Sequence, residues 1–113
     1  PDYPLVVIDV SFISLRLILP PAWEVVRGAG LLIALIKPQF EADKKTMDRC
    51  HGVIRDPEAS EAIARRTLQF ALDSLPDSRL LGFRASAVRG ADGNQEFLMA
   101  LERGDAEIRH HPA

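Results

Sequence analysis

Leu31-Leu32-Ile33-Ala34-Leu35-Ile36-Lys37-Pro38 is the stretch that decides the fold. Its first six residues are wholly apolar, and Gly28-Ala29-Gly30 before it and Pro38 after it are structure breakers. A run this short, bounded in this way, reads as a buried strand. It is far below the roughly 18 apolar residues that a membrane-spanning helix needs. Upstream, Leu5-Val6-Val7-Ile8 is a second short apolar run, which reads as a parallel strand with both faces buried. Between the two lie Ser11 and Ser14, both good helix caps, and then an apolar pattern from Leu15 to about Val26. The pattern predicts a helix that Pro20-Pro21 breaks or restarts and that Gly28-Ala29-Gly30 stops. Strand, helix and strand form one βαβ unit with parallel strands and a right-handed crossover.

Downstream, residues 38–55 show no period and many charges, which predicts a long, partly mobile loop of the kind that covers an active site. Asp56-Pro57 is a helix start, with a capping side chain followed by proline at the first helical position. The helix runs to about Leu75, with Ala59, Ile63, Ala64, Phe70, Ala71 and Leu75 on its apolar arc. Leu80–Val88 is a third strand, expected parallel to the first two. Gly90-Ala91-Asp92-Gly93-Asn94 is a hairpin turn, and Glu96 to about Leu101 is an antiparallel fourth strand. The fold class is α/β, with one domain over residues 1–103 and a flexible tail over 104–113.

The composition narrows the function classes. The 113 residues (12.5 kDa) are 47% hydrophobic and 27% charged, which excludes a disordered or fibrous chain. A formal net charge of -2 excludes a uniformly basic nucleic-acid module, although not a local basic patch. Cys50 is the single cysteine, so no internal disulfide can form and a reducing compartment is expected. The chain opens Pro1-Asp2-Tyr3-Pro4 and enters a strand at once, so it reads as a piece of something longer.

The topology then brings polar residues together. In open α/β sheets, ligands bind outside the carboxyl ends of the parallel strands. Asp9 ends the first strand there, Lys37 ends the second, and Glu96 opens the antiparallel fourth at the same edge. Adjacent strands lie about 4.8 Å apart, so these side chains can touch if the strands are neighbours. A single charge at a strand end often marks only where the chain meets water, and a surface Asp–Lys pair contributes little. Three such groups on one rim, beside a charged loop, point to a site. Lys44, Lys45, Arg49 and Arg55 of that loop are candidates for phosphate contacts. Cys50-His51 lacks the spacing of a zinc site, and His110-His111 falls in the tail.

Four ordered segments carry a family resemblance. Asp9-Val10-Ser11-Phe12-Ile13-Ser14-Leu15, Lys37-Pro38-Gln39-Phe40-Glu41, Gly52-Val53-Ile54-Arg55-Asp56-Pro57, and Gly93-Asn94-Gln95-Glu96-Phe97-Leu98 resemble segments of the TlyA family. Such proteins often carry the haemolysin name and look like ribosomal RNA 2′-O-methyltransferases with an FtsJ-like (RrmJ-like) catalytic domain. The resemblance implies a partial Rossmann-like fold corresponding to the C-terminal half of that domain. It implies S-adenosylmethionine as cofactor, bordered by Asp9, Val10, Ser11 and Phe12, and ribosomal RNA or a ribosomal subunit as partner.

It also implies a Lys-Asp-Lys-Glu catalytic tetrad, in which Asp9, Lys37 and Glu96 match the last three members. The first Lys, a Gly-rich cofactor loop and an S4-like RNA-binding domain are expected upstream of Pro1. In that chemistry Lys37 takes the ribose hydroxyl proton or orients the hydroxyl, while Asp9 and Glu96 hold its amine and balance charge. A cytoplasmic, non-membrane protein is expected, folded but inactive as this segment alone. Three other classes fit parts of the sequence: a membrane-active haemolysin, a non-catalytic interaction fragment in which two copies pair through an exposed sheet edge, and a dinucleotide oxidoreductase.

Overall fold

The computed structural model describes residues 3–104; the remainder of the expected tail, His110-His111 included, lies outside them. Along the chain run β1 (Tyr3–Ile8), α1 (Leu15–Glu24), β2 (Val26–Ile36), a 3₁₀ turn (Pro38–Phe40), α2 (Lys44–Arg49), α3 (Pro57–Ser74), β3 (Ser78–Ala85) and β4 (Phe97–Arg103). The four strands form one mixed sheet in the order β1-β2-β4-β3. β1 and β2 are parallel, and β4 is antiparallel to both of its neighbours. β3 therefore runs in the direction of β1 and β2, as expected, but β4 is inserted between it and β2.

Alternation along the strands builds the core. Leu32, Ala34 and Ile36 of β2 and Phe97, Met99 and Leu101 of β4 are buried, and they cluster with Leu15, Leu19 and Trp23 of α1 and Ala64, Leu68 and Ala71 of α3. Each fully buried Leu, Ile or Met contributes about 1.5–3 kcal/mol. Both helices lie on this one face. The alternate residues Leu31, Ile33, Leu35 and Leu98 are half-buried, and Leu5 and Val7 are exposed. The expectation that β1 is buried on both faces is thus corrected. It pairs with β2 alone among the described residues, and α1 and α3 leave its second face bare.

Four further expectations change. α1 continues through Pro20 and Pro21. Both prolines sit on its exposed side, so the helical donors they remove are those for the carbonyls of the exposed Arg16 and Leu17, where water can replace them. Gly28-Ala29-Gly30 does not stop α1, which ends at Glu24; it is a bulge within β2. The pairing steps from Tyr3↔Val26 to Leu5↔Leu31, and Ala29 has φ 63°. A Cβ on Gly30 would fall 2.8 Å from the Arg27 carbonyl oxygen, so only glycine fits this approach. Residues 38–55 are not one long loop. The 3₁₀ turn and α2 order them, with Asp43 capping α2 by accepting from the Thr46 N–H at 2.7 Å. Finally, β3 ends at Ala85 and not at Val88, so residues 86–96 form a longer connection than a tight hairpin.

Candidate active site

The parallel pairing of β1 with β2 sets the end of one beside the end of the other, with Ile8 opposite Ala34. Asp9 and Lys37 follow directly. The antiparallel pairing of Ile36 with Phe97 then puts Glu96 across from Lys37. Asp9 and Lys37 therefore meet, and Glu96 stands on the same rim. Lys37 Nζ lies 2.6 Å from Asp9 Oδ1 and donates to Ser11 Oγ at 3.0 Å. Its side chain is 12% exposed, whereas that of Asp9 is 59% exposed. The lysine side chain is thus largely covered, while the carboxylate it pairs with meets water.

Burial pushes the Glu96 carboxyl up from its ordinary pKa. The Lys37 charge opposes this, and the negative charges of Asp9 and Asp92 reinforce it. Gly90 makes that position available, because a Cβ there would collide with Glu96 Oε2. For Asp92, burial also acts against ionisation, but hydrogen bonds from Asn94 and Gln39 outweigh it and hold the carboxyl below its ordinary range.

The loop after β1 presents Phe12 with φ 66° and 90% of its surface exposed. Its ring meets that of Phe40 at 5.0 Å between centroids. Ser11 and Phe12, Lys37 and Phe40, and Asp92 and Glu96 are three sides of one cavity of about 300 Å³. Neither Asp9 nor Val10 lines it: Asp9 pairs with Lys37, and Val10 packs against the core. Lys44, Lys45, Arg49 and Arg55 are exposed and do not line it either. Arg55 donates to the carbonyls of Cys50 and Val53, which bends its guanidinium back onto its own loop. The Cys50 thiol donates to the Met47 carbonyl at 3.6 Å.

Sequence reasoning gave no role to the residues that tie the loops of this rim together. Gln39 is buried; its Nε2 donates to Asp92 Oδ2 at 3.1 Å, and its Oε1 has no partner among the described residues. Asn94 is 1% exposed. Its Oδ1 accepts from the Ile54 N–H and its Nδ2 donates to the Gly52 carbonyl, both at 2.9 Å. Glu41 accepts from the Ser14 hydroxyl at 2.6 Å and from the Leu15 N–H at 2.7 Å. All three residues stand inside the motif strings, and Asn94 also in the turn over residues 90–94, but neither signal names their partners.

The chain is 40% identical over 94 residues to YqxC of Bacillus subtilis, named as a candidate rRNA methyltransferase; the match covers 83% of this chain and 32% of that protein. It is 35% identical over 101 residues to TlyA of Mycobacterium tuberculosis, named a 16S/23S rRNA (cytidine-2′-O)-methyltransferase, covering 86% of this chain and 35% of that one. The chain is homologous to the TlyA family.

It spans about a third of the length of these curated TlyA relatives. No family model matches it. Among solved structures, a candidate hemolysin of Lactococcus lactis superposes with a TM-score of 0.81 at 39% identity, covering 94% of this chain and 50% of that one. An S-adenosylmethionine-dependent methyltransferase of Methanosarcina mazei gives a TM-score of 0.55 at 14% identity, over 92% of this chain and 60% of its own. That likeness concerns the fold alone, and it agrees with a partial Rossmann-like sheet.

Proposed function

We propose that this TlyA-like segment is the C-terminal half of the catalytic domain of a ribosomal RNA methyltransferase that acts on a ribose 2′-hydroxyl. The observation that carries the reading is the clamped amine of Lys37. A lysine nitrogen has four tetrahedral positions, one of them taken by its own carbon. Asp9 and Ser11 engage two more, and the last is directed by those bonds rather than by a mobile chain. A hydroxyl placed there is oriented by an ammonium, or gives up its proton to a neutral amine. Asp9 and Ser11 hold the amine in place, and Asp9 and Glu96 balance the charge that develops.

S-adenosylmethionine, when bound, supplies an already activated methyl group. The residues present fit such a cationic donor on one side. The Asp9 and Glu96 carboxylates offset a positive sulfonium, and the exposed Phe12 ring with the Ser11 hydroxyl offers a half-apolar wall. The remaining work of the chain is alignment, which can supply a large share of the barrier lowering. Exposed Lys44, Lys45 and Arg49 of α2, and Arg55 after it, stand outside the cavity and suit sequence-independent phosphate contact. Ribosomal RNA as substrate goes with a cytoplasmic location. The 113-residue segment by itself is expected to fold and to be inactive.

The test uses the full-length protein, labelled S-adenosylmethionine and ribosomal subunits. Incorporated methyl at a ribose 2′-oxygen is read by nuclease resistance and mass spectrometry. Label on a base, or no label, overturns the reading. Among the described residues no helix is long and apolar enough to cross a membrane. Release of dye from liposomes by the same protein, without methyl transfer, would favour the membrane-active alternative.

A further inference from the structure

We propose that Glu41 is a positioning residue for this reaction, which sets the placement of Asp9 and Ser11 against Lys37 by capping α1 from a distant loop. The inference rests on the methyl-transfer reading above.

Two loops carry the clamp on the lysine amine. One leaves β1 at Asp9 and enters α1 at Ser14; the other leaves β2 at Lys37 and passes through the 3₁₀ turn to Glu41. They are tied at both ends. At the near end, Lys37 pairs with Asp9 and Ser11. At the far end, the Glu41 carboxylate uses both oxygens, one on the Ser14 hydroxyl at 2.6 Å and one on the Leu15 N–H at 2.7 Å. Between the ties the Phe12 and Phe40 rings touch. The result is a closed ring of chain in which neither loop can shift without stretching a bond.

The far tie is the stronger constraint on physical grounds. A partly exposed ion pair holds little by itself, because water competes for both charges. A carboxylate accepting two short bonds at a helix N-terminus is favoured by the charge-assisted bonds and by the helix dipole. α1 has no acidic residue in its own first turn, so Glu41 supplies that charge from outside the helix. Ser14 meanwhile accepts from the Arg16 N–H, so one hydroxyl serves the cap and the inter-loop bond together. α1 does not depend on this tie for its packing, since Leu15, Leu19 and Trp23 anchor it in the core. Loss of Glu41 therefore loosens the loop that presents Asp9, Ser11 and Phe12 and leaves the core in place.

The experiment is steady-state methyl transfer by the full-length protein with the variants Glu41→Ala and Glu41→Gln, read beside thermal melting. Glu41→Ala is expected to lower kcat about 100-fold, the scale of a misplacement near 1 Å, with KM for RNA little changed. Glu41→Gln keeps one acceptor for the Leu15 N–H and is expected to recover about tenfold of that loss. In ¹⁵N spectra of the lysine side chains, the Lys37 resonance shifts in Glu41→Ala while the Trp23 indole resonance does not.

Wild-type kcat in Glu41→Ala overturns the inference. So does a fall in kcat matched by a collapse in melting temperature and a shifted Trp23 resonance, because Glu41 would then be only a structural support. Wild-type protein that transfers no methyl overturns the reading beneath it, and the inference falls with that reading.

Discussion

The two ends of the sheet are built on opposite principles. At the end where β2 begins and β4 finishes, the polar groups of Trp23 and Arg103 are used to close the structure. Trp23 is 1% exposed, and its Nε1 donates to the Pro76 carbonyl at 2.7 Å. Arg103 donates to the carbonyls of Trp23 and Val26 at 2.6 and 3.1 Å, and its guanidinium lies over the indole ring. Those bonds satisfy the exit of α1, where a cation is also favoured by the helix dipole. At the opposite rim, one carboxylate pairs with the Lys37 amine and a second stands within reach of its charge, a phenylalanine stands bare, and the Gln39 Oε1 is left without a partner among the described residues. One end uses its polar chemistry to hold the fold. The other holds polar chemistry in reserve, at a cost to the fold.

That contrast predicts where substitutions act. Trp23→Ala should destabilise most, by about 3–5 kcal/mol in urea unfolding, because it empties a core site and strands the Pro76 carbonyl. A loss below about 1 kcal/mol would break the comparison. Asn94→Ala comes next, at about 1–3 kcal/mol, since it leaves the Ile54 N–H buried and unpaired. It is the rim residue that behaves like one from the opposite end.

Glu96→Gln should have the reverse sign. The folded Glu96 carboxyl lies above its ordinary value of 4.5, so its contribution to stability is full below that value and is lost as pH rises through the higher folded value. Glu96→Gln should therefore melt above wild type at pH 7, with the gap closing below pH 4.5. A gap that widens on acidification contradicts it. Gly90→Ala should be the mildest, within about 0.5 kcal/mol of wild type, because the group it displaces is the mobile end of a side chain. It should nonetheless push the Glu96 carboxylate toward water and return its titration, followed by carbon NMR, toward 4.5.

The opposite end and the core were largely legible in the sequence, because packing leaves a period. The alternation in β2 and the spacing of α3 are direct records of a buried face. Where no face is buried there is no period to read. α2 buries none of its residues and is marked only by the Asp43 cap, so residues 38–55 read as a loop. Pro20 and Pro21 misled for a related reason: proline breaks a helix only where the lost bonds cannot be replaced, and exposure is invisible in one sequence.

At the rim, strand ends could be aligned by topology alone, and Asp9, Lys37 and Glu96 were placed in that way. Gln39, Glu41 and Asn94 were not, since each acts on a partner 26 to 53 residues away. Such contacts are fixed by how loops fold back, which no local pattern records. The strand order β1-β2-β4-β3 is likewise a long-range fact, although the direction of β3 followed from the helix before it.

One measurement tests the division of labour most directly. Lys37→Met in the full-length protein removes the amine and keeps an apolar side chain of similar length. Methyl transfer to ribosomal RNA should vanish while S-adenosylmethionine binding and the melting temperature stay largely intact. Retained transfer to the ribose 2′-oxygen would contradict the assignment of this rim as the reacting centre.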